Sequence, residues 1–370
     1  MIVVVAPEPA RWIDPVVAAE GGGAAAVWAP WAMPPRSADL PGAAGRFGRR
    51  RQQAGADSIA AWPLVELAMR LWSRGRVDRQ LRASFATRAA ADLWAAARLR
   101  RRAVQTVIAP SLGARAAFAE ARRRGARTVL VCDLPLLRRL HRDLDLAAEQ
   151  YPARRFLRRY RADHAVIARQ ESELVLADVV LVRGAYAREA CLELGVEPDR
   201  IVAMPPSVTA RPARQDPAAP PAAPPQTAAR PDIAHSRRLT PPAPAAGAIL
   251  LAGLAAARHG VDAALEAVAA RGRTLWVRVG EGTEPEDLLT RPGVARAPAA
   301  AYERLEGVAA VIAPAWCECY PPEVAMAVAL GVPVIASRAA AGFAEVVEVV
   351  PGAVEPIAAA LDRALQPGRR

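Results

Sequence analysis

The chain has 370 residues, of which 53% are hydrophobic, and this excludes wholesale disorder while leaving length for two domains, each with its own core. No run reaches the roughly 18 uncharged apolar residues of a membrane-spanning helix, and four cysteines are too few for a disulfide scaffold. The net charge of +12 rests entirely on arginine, with no Lys and no Asn present; a GC-rich coding sequence accounts for that better than nucleic-acid recognition does.

Met1–Val5 reads as a buried strand, and MIVVVAPEPARW lacks a charged start followed by an apolar run and a cleavage site. A cytoplasmic chain is therefore expected. The stretch 31–105 is less regular. It carries the Arg-rich turn Gly45 to Gln53, then Trp62 to Arg82, where Leu64, Leu67 and Leu71 recur beside Trp62 and Trp72 and five arginines follow closely. This segment reads either as a basic helix lying on an anionic membrane surface or as an ordinary helix packed on a sheet. Strands are predicted at Thr106–Ala109, Thr128–Cys132 and Val179–Val182, with helices at Arg115–Arg124 and Tyr186–Leu194.

Residues 206–246 are rich in Pro and Ala and have no apolar periodicity. Proline lacks the amide donor and fixes φ, so the expectation is an extended linker, either a spacer or an SH3-type ligand. Beyond it, strands are predicted at Ala248–Ala252, Thr274–Val279, Ala309–Ala313 and Pro333–Ala336, with helices at Val261–Ala270 and Glu355–Leu365. Alternating strands and helices on both sides predict two α/β, Rossmann-like domains with parallel sheets, at 1–205 and 247–370. Ligands in such sheets bind outside the carboxyl ends of the strands, so the expected site is a cleft between the domains.

Charge divides along the same boundary. Residues 1–205 hold 33 arginines against 21 carboxylates, whereas residues 247–370 hold 11 against 14. The first domain is expected to face an anionic partner, a membrane surface among them. Nucleic acid is not expected, because no recognised module or interleaving of aromatic and basic residues is present.

Chemistry concentrates in Val311 to Val347. This stretch reads as strand, loop, helix, glycine turn and strand. The loop displays Glu318 beside Trp316 and Tyr320, and Pro321–Pro322 starts a helix with Glu323 in its first turn, where the dipole favours a carboxylate. A loop carboxylate at the top of a parallel strand suits sugar hydroxyls; the competing reading is a solvated loop residue. Cys317 and Cys319 form a CxC pair whose zinc partners would have to be distant cysteines or histidines, against the plainer reading of half-buried thiols. No metal is expected.

This segment resembles the retaining GT-B glycosyltransferases of family 4, with Pro314, Trp316, Glu318, Tyr320, Pro321 and Gly331–Ser337 matching the family pattern without a gap. Ile249 to Val268 resembles its phosphate-binding loop and helix, Leu275 to Leu289 its nucleotide-side strand and glycine loop, and Arg169 to Pro205 the end of its acceptor domain. The resemblance implies a GT-B fold and transfer of a sugar from a nucleotide-diphosphate sugar to a glycan or lipid-linked acceptor, without a further cofactor. It implies Glu318 as the catalytic-site carboxylate, and Gly253, Arg258, His259, Gly260, Gly280, Gly282, Tyr320, Glu323 and Met326 as donor-side positions.

The departures are specific. Met326 stands where the family has its ribose-binding Glu, with Glu323 one helical turn earlier. Leu254 and His259 stand where it has an Arg and a Lys, and Gly184 where it has a Ser. A histidine beside a diphosphate can hold a proton and stand in for a fixed cation. A catalytically impaired GT-B chain, acting as a partner or binding subunit, is the alternative expectation.

Overall fold

The computed structural model describes residues 1–5, 16, 25–29, 58–61, 77–154, 157–158, 161–204, 247–280, 287–318, 321–342, 344 and 346–366. The first sheet collects β1 (Ile2–Val5), β2 (Ala25–Ala29), β3 (Ser58–Ala61), β4 (Thr106–Pro110), β5 (Arg127–Cys132), β6 (Val179–Val182) and β7 (Ile201–Ala203). Its order is β3-β2-β1-β4-β5-β6-β7, and every pairing is parallel. Helices α1 (Val77–Leu99), α2 (Arg115–Arg123), α3 (Leu137–Gln150), α4 (His164–Leu176) and α5 (Ala185–Glu193) accompany it. The strands are near-continuous runs of apolar residues because both faces are covered: Val3, Val107, Leu130 and Val180 are fully buried around Phe118 of α2.

The second sheet has β8 (Ala248–Leu254), β9 (Leu275–Arg278), β10 (Val294–Arg296), β11 (Val308–Ala313), β12 (Val334–Ala336) and β13 (Val347–Glu348), in the order β10-β9-β8-β11-β12-β13, again all parallel. Helices α6 (Val261–Ala269), α7 (Ala299–Arg304), α8 (Pro322–Ala329) and α9 (Val354–Ala364) complete it. One hydrophobic cluster lies on each face, around Ile249, Val277 and Ile357 on one and around Leu250, Val311 and Val324 on the other. The strand order reverses between β8 and β11, and at such a switch point the flanking loops part and leave a crevice at the carboxyl ends.

The domains touch through a packed interface. Leu137, Leu140 and Leu144 of α3 share a buried cluster with Ala257, Cys317 and Ala339 of the second domain. Gln150 Nε2 donates to the Gly352 carbonyl at 2.9 Å, and Arg154 pairs with Asp262 in the first turn of α6. The Ala185 N–H donates to the Gly342 carbonyl at 3.0 Å. At Gly184 a Cβ would lie 2.7 Å from Gly342 Cα, so backbone meets backbone there. A side chain at 184 would have to push the Gly342 backbone of the second domain away. The linker 206–246, Gly282, Tyr320 and Cys319, and most of the Trp62–Arg82 segment lie outside the described residues; the helix that begins at Val77 runs on to Leu99.

Candidate donor site at the second switch point

The loop after β8 is shaped by glycines. Gly253 has φ +77°, and a Cβ there would press on the His259 ring at 3.2 Å. Ala257–His259 form a single tight turn, and Gly260 then takes φ +75° to begin α6. A Cβ on Gly260 would sit 2.1 Å from the Pro314 carbonyl oxygen, so only glycine lets this loop lie against the one following β11. Gly280 closes β9 beside Leu254, where a Cβ would reach the Leu254 Cδ1 at 3.2 Å.

His259, only 4% exposed, links the two loops. Its Nδ1 lies 2.5 Å from the Leu254 carbonyl, which fixes Nδ1 as a donor. Its Nε2 faces Glu318 Oε2 at 3.0 Å. That approach has the distance of an ion pair without hydrogen-bond geometry, so the Leu254 carbonyl is the hydrogen-bond partner of the ring. Arg258 is half-buried, and its carbonyl accepts from the Trp316 N–H at 2.9 Å. Burial pushes the Cys317 thiol up to about 12, against the lowering effect of Arg258, so this cysteine is not a thiolate.

Glu323, in the first turn of α8, is 2% exposed. Arg278 Nη2, at the end of β9, donates to its Oε1 at 2.9 Å; its Oε2 is buried with no hydrogen-bond partner among the described residues. The Arg278 guanidinium also lies over the Tyr302 ring, 4.0 Å from the centroid, and the Tyr302 hydroxyl donates to the Leu251 carbonyl at 3.2 Å. Burial raises the Tyr302 hydroxyl above the usual phenol range. Met326 packs against the cluster of Leu250, Val311 and Val324.

The structure therefore gathers Gly253, Arg258, His259, Gly260, Glu318 and Glu323 around the switch point, with Gly280 at its edge, while Met326 is half-buried against the cluster of Leu250 and Val311. Arg278 and Tyr302 were not foreseen. An Arg ending the apolar run LWVR was the available signal, since a charge at the carboxyl end of a buried parallel strand needs a partner. Between the domains, a cavity of about 340 Å³ is lined by Arg139 and Tyr186 of the first domain and by Trp316, Arg338 and Glu348 of the second. Arg139 Nε and Trp316 Nε1 are both buried without a hydrogen-bond partner among the described residues.

No protein-family model matches this chain, and no curated protein matches it in sequence. Solved structures do. A sucrose-phosphate synthase from Thermosynechococcus elongatus is 15% identical, with a TM-score of 0.57 over 98% of this chain and 89% of its own. A trehalose-6-phosphate synthase, studied for glycosyl transfer with retention, is 12% identical, with a TM-score of 0.55 over 99% and 91%. Anabaena Alr3699/HepE, solved in complex with UDP, is 10% identical, with a TM-score of 0.51 over 100% and 90%. The fold is GT-B. The Gly253–Gly260 and Pro314–Glu318 loops lie at the switch point of its second sheet, between β8 and β11.

Proposed function

We propose that this GT-B chain moves a glycosyl unit from a nucleotide-diphosphate sugar to a glycan or lipid-linked acceptor with retention, as family 4 does. The observation that carries the reading is the convergence of Glu318, His259 and Glu323 on one switch point, with His259 bonded to the Leu254 carbonyl, Glu323 to Arg278, and Glu318 3.0 Å from the His259 ring. In this reading Glu318 receives hydroxyls of the donor sugar. Arg258, His259 and the first N–H groups of α6 face the diphosphate. The open Oε2 of Glu323 takes a ribose hydroxyl, which would occupy an acceptor otherwise buried at a cost. On the acceptor side, Trp316 Nε1 offers a donor without a hydrogen-bond partner among the described residues to hydroxyl oxygens in the interdomain cavity.

The glycosyl–phosphate bond breaks, the acceptor oxygen bonds to the same face of the anomeric carbon, and the acceptor proton leaves with the diphosphate. Charge develops on the leaving group, so preorganised donors around it dominate the rate. The test is thermal melting of the full chain with UDP, GDP, ADP and TDP. At 100 times its Kd a ligand adds about 2.7 kcal/mol, a shift of roughly 5–10 °C in a domain of this size. No shift with any of the four at millimolar concentration removes the donor reading. A shift without glycosyl turnover leaves the impaired, binding-subunit form of it.

A further inference from the structure

The first domain carries a second concentration of charge, at the end remote from the donor site. The last turns of α1 and α2 lie side by side there, at the amino ends of β4 and β5, with Arg98, Arg100, Arg101 and Arg102 on one element, Arg122, Arg123 and Arg124 on the other, and Arg127 opening β5. Glu120 is buried beneath them: it pairs with Arg123 at 3.0 Å, Arg124 at 3.0 Å and Arg100 at 3.6 Å. The exposed Asp178 borders the cluster through its bond from the Thr128 N–H. Eight arginines thus face two carboxylates, and all but Arg98 are exposed.

Apolar side chains stand among these charges. Leu93, two turns before Arg100 on the same face of α1, is 63% exposed. Val175, at the end of α4, is 70% exposed, and its carbonyl accepts from Arg122 Nη1 at 3.4 Å. Half-buried Trp94 lies under the Arg98 guanidinium, 5.2 Å from the ring centroid. A free polyanion would be served by the arginines alone. Guanidinium groups interspersed with protruding Leu and Val and an edge Trp match the two layers of a bilayer interface, phosphate outside and acyl chain beneath.

We propose that this face docks on an anionic lipid bilayer. Because it sits at the amino ends of β4 and β5, docking there leaves the carboxyl ends of those strands, and the interdomain cluster that Leu112 joins, facing away from the bilayer. The inference does not rest on the sugar-transfer reading, and its test uses no nucleotide. The full chain is sedimented with vesicles of phosphatidylcholine alone or with 30% phosphatidylglycerol, from low salt to 0.5 M NaCl, and titrated with single-stranded DNA at matched salt.

Expected is capture by the anionic vesicles only, released at high salt. The triple variant Arg101→Gln/Arg102→Gln/Arg122→Gln spares the Glu120 pairs and should weaken capture at least tenfold at unchanged Tm. The pair Leu93→Ser/Val175→Ser should weaken vesicle capture while leaving DNA binding, if any, unmoved. Capture of the triple variant equal to wild type would overturn the assignment of this face, since basic segments elsewhere would then be responsible. So would equal capture by neutral vesicles, or tighter binding to DNA than to the anionic vesicles.

Discussion

Glu173 is a carboxyl group fully buried at the heart of the first domain, and its protonation should leave a mark on stability. Its Oε2 accepts from the Leu112 N–H at 2.6 Å, and its Oε1 accepts from the Ala114 and Arg115 N–H groups at 3.0 and 3.2 Å. Asp92 holds the Ala116 and Ala117 N–H groups at 2.8 Å, so two acids from two helices cap the start of α2. Burial raises Glu173 from 4.5 to about 7, outweighing the bonds from the Ala114 and Leu112 N–H groups and the charge of Arg169. The folded chain therefore keeps a proton that the unfolded chain releases. The stabilisation is complete below pH 4.5 and is lost as pH rises through about 7. A displacement of this size corresponds to about 3 kcal/mol, or roughly 6–12 °C in Tm.

The assay is the Tm of wild type and Glu173→Gln between pH 4 and 8. The Gln variant carries a fixed penalty, because its amide N–H₂ cannot accept from the helix. The quantity to follow is wild type minus variant, which cancels groups away from Glu173 such as His141, lowered by burial. That difference should shrink by about 6–12 °C from pH 4.5 to 8. A difference flat to within about 2 °C, or growing with pH, would show that Glu173 is ionised in the fold and refute the reasoning. The site matters to the cleft: Leu112, whose N–H Glu173 holds, has φ +69° and packs in the interdomain cluster with Ala257 and Cys317.

Four further outcomes follow from the site and the interface. Glu318→Gln should lower glycosyl turnover about 100-fold or more while moving Tm by less than about 2 °C, because its loop carboxylate adds little to the core; turnover within twofold of wild type contradicts its role. Gly260→Ala sets a Cβ against the Pro314 carbonyl at positive φ and should cost about 3 kcal/mol or more, read as a Tm fall of at least about 6 °C. Arg278→Met strands the buried Glu323 carboxylate and should cost about 1–3 kcal/mol, recovered in Arg278→Met/Glu323→Gln, as a double-mutant cycle would show. Gly184→Ser should separate the domains, raising the radius of gyration by small-angle scattering without unfolding either sheet.

The parts of the fold that could be read directly are those whose signal is local. Ile2–Val5, Val179–Val182 and Ala248–Leu254 are runs of apolar, mainly branched residues, and in a sheet covered on both faces such runs have no other use. β2 and β3 were missed because AAVWA and SIAA are mostly alanine, which carries little strand preference. Helix α1 was missed for a related reason: its alanine-rich composition favours helix by propensity and shows no clear periodic stripe. At the site, Gly253, Gly260 and Glu318 were legible because spacing along the chain reports them. The Arg278–Glu323 pair and the Gly184–Gly342 contact were not, because each joins residues far apart in sequence through packing that spacing does not encode.

The same long-range packing bears on the charge around the Gly253–Gly260 loop. Leu254 and His259 leave the second domain with Arg258 as the fixed positive charge of that loop. The interface brings a guanidinium there that is already paired: Arg154, just beyond α3, reaches the first turn of α6 and bonds Asp262, whose side chain is largely buried. Asp262 lies at the positive end of the helix dipole and is held by a guanidinium of the other domain, so charge at this helix start depends on the two domains being together. Leu140 and Leu144, packed with Ala257 and Cys317, fix the approach that brings Arg154 there. In the proposed reading the helix start that faces the diphosphate is held in place by a pair spanning both domains. Closure and donor binding are then thermodynamically linked, each favouring the other by the same factor.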